Sequence, residues 1–453
     1  MAHATQRRRV LPGGRLVVGA VATRVWPLSL AAAMMATGLS FSFLWAPVVH
    51  GQHSWVYPGD IWSTVRDAQF VSWGGFGAVY GDGAGLVALP GLPILLAPVA
   101  WLCGSLGLGF AFPYPVPHPT AWLVVGPVTF GLGTLPLFPL DALARWAGLG
   151  RLRRGVLAVA ATTALWPTAV LWGHPEDALA VAGILWALLQ AFQRRWTRAG
   201  WLCGAAMCAQ PLAALAFPVL AALALRDGGW RRAAAVSARA ALFPVVLAAL
   251  LFAGAPTATA KALLDQPNYP TVDWPTPWLA WAPRLGHSTV AAGPERLVAV
   301  VVSFAMGLWV YRGDTGPHRA MWAVGIALAA RCLFESVMVP YYVMPAVIAL
   351  VLAAALSSTG RLAWSLAAGT FLAVYSEWHY APWPWYSEVV LLLGCLAWLG
   401  RPASSGANRA EIDEIEQSRD ASTPPSGLDV EVPIPDTPGT PGVPSRLTGA
   451  DLG

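Results

Sequence analysis

The chain has 453 residues, 56% of them hydrophobic and only 11% charged, and its mean hydropathy is +0.55. A soluble globular protein carries about 25% charged residues, so this composition excludes a water-soluble enzyme and predicts an all-α polytopic membrane protein. The formal net charge of +5 does not signal nucleic-acid binding: Lys261 is the only lysine, and the arginines cluster between apolar stretches, as in the cytoplasmic loops of membrane proteins.

A bilayer-crossing helix needs roughly 20 apolar residues. Residues 1–24 carry Arg7, Arg8, Arg9, Arg15 and Arg24 and read as a cytoplasmic N-terminal segment. The apolar run 26–49 is long enough to span, and no small-x-small cleavage site follows it. Residues 25–400 read as one transmembrane domain of about 10–13 transmembrane or half-membrane helices. Residues 401–453 are rich in Ser, Pro, Gly and acids, without apolar periodicity, and read as a disordered cytoplasmic tail. Both termini are then cytoplasmic.

The first loop, 51–83, is extracytoplasmic in this topology. It is polar, aromatic and glycine-rich, and holds His53, Tyr57, Asp60, Arg66, Asp67 and Asp82. Pro58 and Gly59 place Asp60 on a turn ahead of a helix-like run, 61–71. Asp60 is the main catalytic candidate; the competing expectation is that it merely caps that helix. Residues 85–112 are apolar but broken by Pro90, Pro93 and Pro98. The charges of RWAGLGRLRR require that this stretch or the next span, 121–143, fall short of a full crossing, with the proline-broken 85–112 the first candidate, and incomplete helices at membrane depth need a sheltering cavity.

Residues 155–172 run outward to WGHPEDALA, where His174, Glu176 and Asp177 gather. Pro near a first helical turn and acids against the helix dipole explain Pro175 and the two carboxylates as a helix start, but explain His174 less well. Residues 200–225 are flanked on both sides by arginines, with Gln210 and Pro211 near the middle. That predicts a V-shaped pair of half-helices, both ends cytoplasmic and Gln210 at the tip; the competing expectation is one kinked full span. A second long outer loop, 255–295, is rich in Pro and Trp and carries Asp265, Asp273, Arg284 and His287. The span 320–339 contains Arg331 and Glu335, whose i, i+4 spacing predicts a helix ion pair. Tyr341 and Tyr342 follow, and His379 lies in the last outer turn. Ionisable groups at membrane depth are costly and point to function. The five cysteines form no CxxC pair, and neither a zinc motif nor a nucleotide phosphate loop occurs.

The acidic first loop, the GHPED turn at 173–177 and the LCGAA…QP…FP half-helix pair followed by arginines resemble the GT-C superfamily, in its bacterial mannosyltransferase-like branch. These are membrane glycosyltransferases that use polyprenyl-phosphate sugars. The resemblance covers about residues 25–400, through short motifs. It implies an active site built from extracytoplasmic loops and an inverting transfer, mannose first, to a lipid or cell-envelope glycan acceptor. It implies Asp60 as general base. His174 and Glu176 would lie beside the donor phosphate or the acceptor, with Asp67, Arg66, Asp177, Gln210, Arg284, His287, Arg331, Glu335, Tyr341 and Tyr342 as further substrate contacts. Two departures stand out: many relatives have Lys where this chain has Gln210, and their adjacent acidic pair is missing, which leaves dependence on a divalent metal open. No other cofactor follows. Partners would be the lipid-linked donor, the acceptor and membrane lipids, in a bacterial plasma membrane; the Ala, Gly, Pro and Arg excess fits a GC-rich, actinobacterial genome. The competing expectations are a multi-pass transporter or lipid flippase and a non-catalytic scaffold.

Overall fold

The structure, a computed structural model, describes residues 25–45, 55–80, 88–109, 119–270, 274–377 and 381–402. The N-terminal segment, the tail from 403, the PYPVPHPT link up to residue 118, and His53, Asp82, Asp273 and His379 lie outside the described residues.

The described chain is almost wholly helical. Helix α1 (Val25–Ser40) ends in a π-helical turn, Phe41–Trp45. Then follow α2 (Ile61–Ser72), α3 (Gly91–Ser105), α4 (Trp122–Gly133), α5 (Leu137–Trp146), α6 (Arg151–Trp166), α7 (Pro175–Phe192), α8 (Trp196–Ala209), α9 (Phe217–Gly254) and α10 (Pro256–Asp265). The two-residue strand β1 (Trp274–Pro275) precedes α11 (Arg296–Arg312) and α12 (Pro317–Leu333). Its antiparallel partner β2 (Val337–Met338) precedes α13 (Val343–Ser357), α14 (Thr359–Tyr375) and α15 (Pro382–Gly400).

Six stretches are long and apolar enough to cross a membrane: Val25–Trp45, Trp122–Trp146, Arg151–Trp172, Pro175–Phe192, Pro211–Gly254 and Pro340–Ser357. The packing agrees with that reading. Helix α13 is buried along nearly its whole length, as an all-apolar helix at the centre of a bundle must be. At the periphery, α11 exposes Leu297, Val301, Phe304 and Leu308, and α9 exposes Leu242, Phe243, Val245 and Leu250. Such continuous apolar faces are untenable in water and suit a lipid surround.

The 200–225 region is broken where the sequence predicts. Pro disfavours the helical conformation in the residue before it, and Gln210 is extended, at φ −152° and ψ 125°. A 3-10 turn, Pro211–Ala216, then leads into α9. Helix α9 is itself two helices, divided at Gly228 and at Gly229, whose φ of 69° is left-handed. The Trp196 indole donates to Asp227 at 2.8 Å, so the two arms begin and end at one level, with Gln210 at the far tip. The returning part of α9 packs on α8 through Gly204, where a Cβ would lie 2.6 Å from the Ala240 carbonyl oxygen.

Helix α3 has 15 residues, about 22 Å at 1.5 Å per residue, short of the ~30 Å hydrocarbon core. Its first residue, Gly91, abuts the end of α8, with room for no side chain: a Cβ would sit 2.3 Å from the Cys208 carbonyl oxygen.

One expectation is corrected. The span 320–339 is helical only to Leu333; Val337 and Met338 are extended and pair with Pro275 and Trp274, in keeping with the β propensity of Val337 and with Pro340 ahead. The second outer loop contains α10. It is tied down by paired backbone bonds between Asn268 and Val290 and by the Trp278 indole donating to the Leu333 carbonyl at 2.6 Å.

Candidate active site

Asp60 is placed by packing on both sides. Upstream, Val56 donates to the Ser42 carbonyl at 2.9 Å, and the buried Trp122 indole donates to Ser42 Oγ at 2.8 Å. Tyr57 packs edge-on against Trp62. Around Asp60, Pro58 and Ile61 press on Gly173, which has a left-handed φ of 74°; a Cβ there would lie 2.5 Å from Pro58. That approach of the first loop to the GHPED turn requires glycine and brings Asp60 to His174.

Asp60 stands at the N-cap of α2 but makes no capping bond, and its own backbone is helical, at φ −74° and ψ −23°. The capping expectation is therefore wrong: its carboxylate is engaged elsewhere. His174 Nε2–H donates to Asp60 Oδ2 at 3.0 Å, and Nδ1–H donates to Glu176 Oε1 at 2.5 Å. Burial works against charge on this imidazole, but Glu176 and Asp60 outweigh it and raise its pKa from 6.5 to about 10. The ring stacks on Tyr341, with centroids 3.9 Å apart and planes 20° apart. Of the two carboxylates, Asp60 is the accessible one: 54% of its side chain is exposed, against 13% for Glu176.

These groups line a cavity of about 680 Å³. Gln210 reaches it from the tip of the broken helix pair, and Tyr341 and Tyr342 from the turn before α13. Arg331 enters at the end of α12, its guanidinium 4.0 Å from the centre of the Tyr342 ring. Asp177 is buried behind the wall, facing the charges of His174 and Arg331 and the amide of Gln210. The predicted Arg331–Glu335 helix pair is corrected. Helix α12 ends before Glu335, whose fully buried carboxylate is instead hydrogen-bonded by Arg296. Arg296 also donates to Gln266, a residue held at a left-handed φ of 39°.

Besides Asp177, four predicted residues do not line the cavity. Arg66 and Asp67 lie on α2, with Asp67 fully buried near Tyr80. Burial pushes the Asp67 carboxyl up to about 7, with Arg66 pulling the other way. Arg284 and His287 are exposed in the second outer loop. Conversely, Arg296, Gln266, Tyr269 and Trp172 line the cavity without having been singled out. Arg296 had a legible signal, an arginine at the outer start of an apolar helix; the others had none. Among the described residues no three His, Cys, Asp or Glu side chains are grouped to hold a metal ion.

Comparison of the sequence with protein-family models finds no match, and comparison with curated proteins finds none either.

Proposed function

We propose that the protein is a GT-C-like membrane glycosyltransferase. It moves a sugar, mannose in the first instance, from a polyprenyl-phosphate donor to a lipid or cell-envelope glycan acceptor on the extracytoplasmic face. The observation that carries this reading is the chain Glu176–His174–Asp60, which ends on an accessible carboxylate in a cavity that also holds Arg331 and Arg296.

The chemistry needs few parts. The acceptor hydroxyl oxygen attacks the anomeric carbon as Asp60 takes the hydroxyl proton. The bond from that carbon to the donor phosphate oxygen breaks, and the lipid phosphate leaves as an anion. Inversion needs one base on the acceptor side and no covalent intermediate. His174, charged and held at both nitrogens, orients Asp60 through Oδ2 and leaves Oδ1 for the acceptor. Arg331 and Arg296 are the fixed positive charges for the leaving phosphate. The short α3 and the broken pair at Gln210 are half-membrane elements in this reading, within a bundle of about 10–13 passes and half-passes.

One observation favours the transporter or flippase alternative: an unwound Gln210–Pro211 tip in the cavity wall resembles the discontinuous helices of transporters. That reading gives no work to the Asp60–His174–Glu176 chain. The two are separated by incubating the purified protein in proteoliposomes with undecaprenyl phosphomannose and an envelope lipid extract. The proposal expects mannosylated lipid and free undecaprenyl phosphate. Donor that crosses the bilayer chemically unchanged, with no mannosylated product, would refute it.

A further inference from the structure

The cavity lining has two kinds of surface. One is charged and polar: Asp60, Glu176, Gln210, Arg296 and Arg331. The other is aromatic: Trp172, Tyr269, Tyr341 and Tyr342. Trp172 closes the π-helical turn Pro167–Trp172 and lines the cavity. Its indole N–H is committed elsewhere, donating to Glu377 Oε2 at 2.7 Å, just beyond the end of α14. A tryptophan whose single polar atom is already satisfied can present only ring surface to a ligand. Tyr341 continues that surface, 5.6 Å from Trp172 between centroids, and stacks in turn on His174. The aromatic surface therefore runs directly into the carboxylate–imidazole chain.

A pyranose is two-faced in the same way. Its hydroxyls project around the rim, and its ring C–H groups form an apolar face that carries partial positive charge and is drawn to the negative face of an aromatic ring. A phosphate has no such face, and a prenyl chain, though apolar, has no hydroxyl rim for the polar lining and is shared by the sugar-free lipid. We infer that Trp172 is the platform on which the donor's sugar ring lies, and that Glu377 is a positioning residue that fixes the indole by taking its N–H. This rests on the reading of the cavity as the site of a lipid-linked sugar, and it assigns the sugar-recognising surface within it. The opposing account is that Trp172 is only an interfacial anchor, of the kind common at the ends of membrane helices.

The test compares two lipids, undecaprenyl phosphomannose and undecaprenyl phosphate, binding to the full chain in lipid nanodiscs. Wild type should bind the mannose-bearing lipid tighter, by on the order of tenfold. Trp172→Leu should bring the two affinities together while leaving that for undecaprenyl phosphate unchanged, and Trp172→Phe should keep most of the difference. Glu377→Leu should narrow the difference with Trp172 still present. Glu377→Gln, whose side-chain carbonyl also accepts from the indole, should restore it. Retention of the full difference in Trp172→Leu, or an equal loss for both lipids in Trp172→Leu and Glu377→Leu alike, overturns the inference. Wild type that binds both lipids equally overturns the platform alone, whereas wild type that binds neither overturns the reading of the site as well.

Discussion

Burial opposes charge on two side chains near the site, with opposite outcomes, and each makes a pH-dependent prediction. Asp67 has its pKa raised from 3.8 to about 7, first by burial. The folded protein thus prefers the neutral acid, and ionisation costs stability progressively as pH rises from about 4 to about 7. Asp67→Asn keeps the shape and removes the charge. Its Tm should match wild type near pH 4 and exceed it at pH 8; an Asn variant less stable than wild type at pH 8 would contradict the assignment. His174 instead keeps its charge. Its folded pKa is raised from 6.5 to about 10, because Glu176 and Asp60 together outweigh the burial that opposes charge. Its contribution to stability is complete below about 6.5, declines as pH rises above that, and is lost through about 10. The Tm gap between wild type and His174→Gln should therefore shrink between pH 7 and pH 10.5. A gap that stayed constant over that range would show that the imidazole is already neutral in the folded chain at pH 7.

At the scale of elements, the break at Gln210 was readable in the sequence because proline acts locally, on the residue before it and on the backbone bond it cannot make. The flanking arginines added the direction of the two arms. The ion pairing of Glu335 was not readable. An i, i+4 spacing gives a pair only while the helix continues, and α12 stops at Leu333, leaving Glu335 to a partner, Arg296, 39 residues away in sequence. The helix-pair assignment has a direct check. In a cysteine-free background, Arg198→Cys and Trp230→Cys mark the two ends of the broken segment; both positions are exposed. A membrane-impermeant thiol reagent should label both from the same side. Labelling from opposite sides would make the segment a single kinked crossing.

For the molecule as a whole, composition alone was enough to predict a helical membrane bundle, and the apolar faces of α9 and α11 fit it. The candidate site was partly legible. Scarce carboxylates in an apolar chain, the GHPED turn and the Gln210 break were each visible in the sequence, and the fold brings Asp60, His174, Glu176, Gln210, Arg331, Glu335, Tyr341 and Tyr342 to one cavity. Nearness in space was not legible. Arg66 and Asp67 sit on the same short helix that Asp60 precedes, yet helical rotation turns Asp67 inward, away from the cavity. Gln266 and Trp172 reach the cavity through a left-handed turn and a π-helical turn, neither of which has a local sequence mark.

The central claim is that Asp60 is a base and not a helix cap. Since no capping bond exists, Asp60→Asn and Asp60→Ala should lose only the half-exposed contact with His174, up to about 1 kcal/mol, and stay folded. Asn keeps the shape of the carboxylate but cannot take a proton, so neither variant should support transfer. The deciding measurement is the rate of mannose transfer from undecaprenyl phosphomannose to envelope lipid acceptor by folded Asp60→Asn. The account predicts a fall of about a hundredfold or more; transfer at the wild-type rate would contradict it.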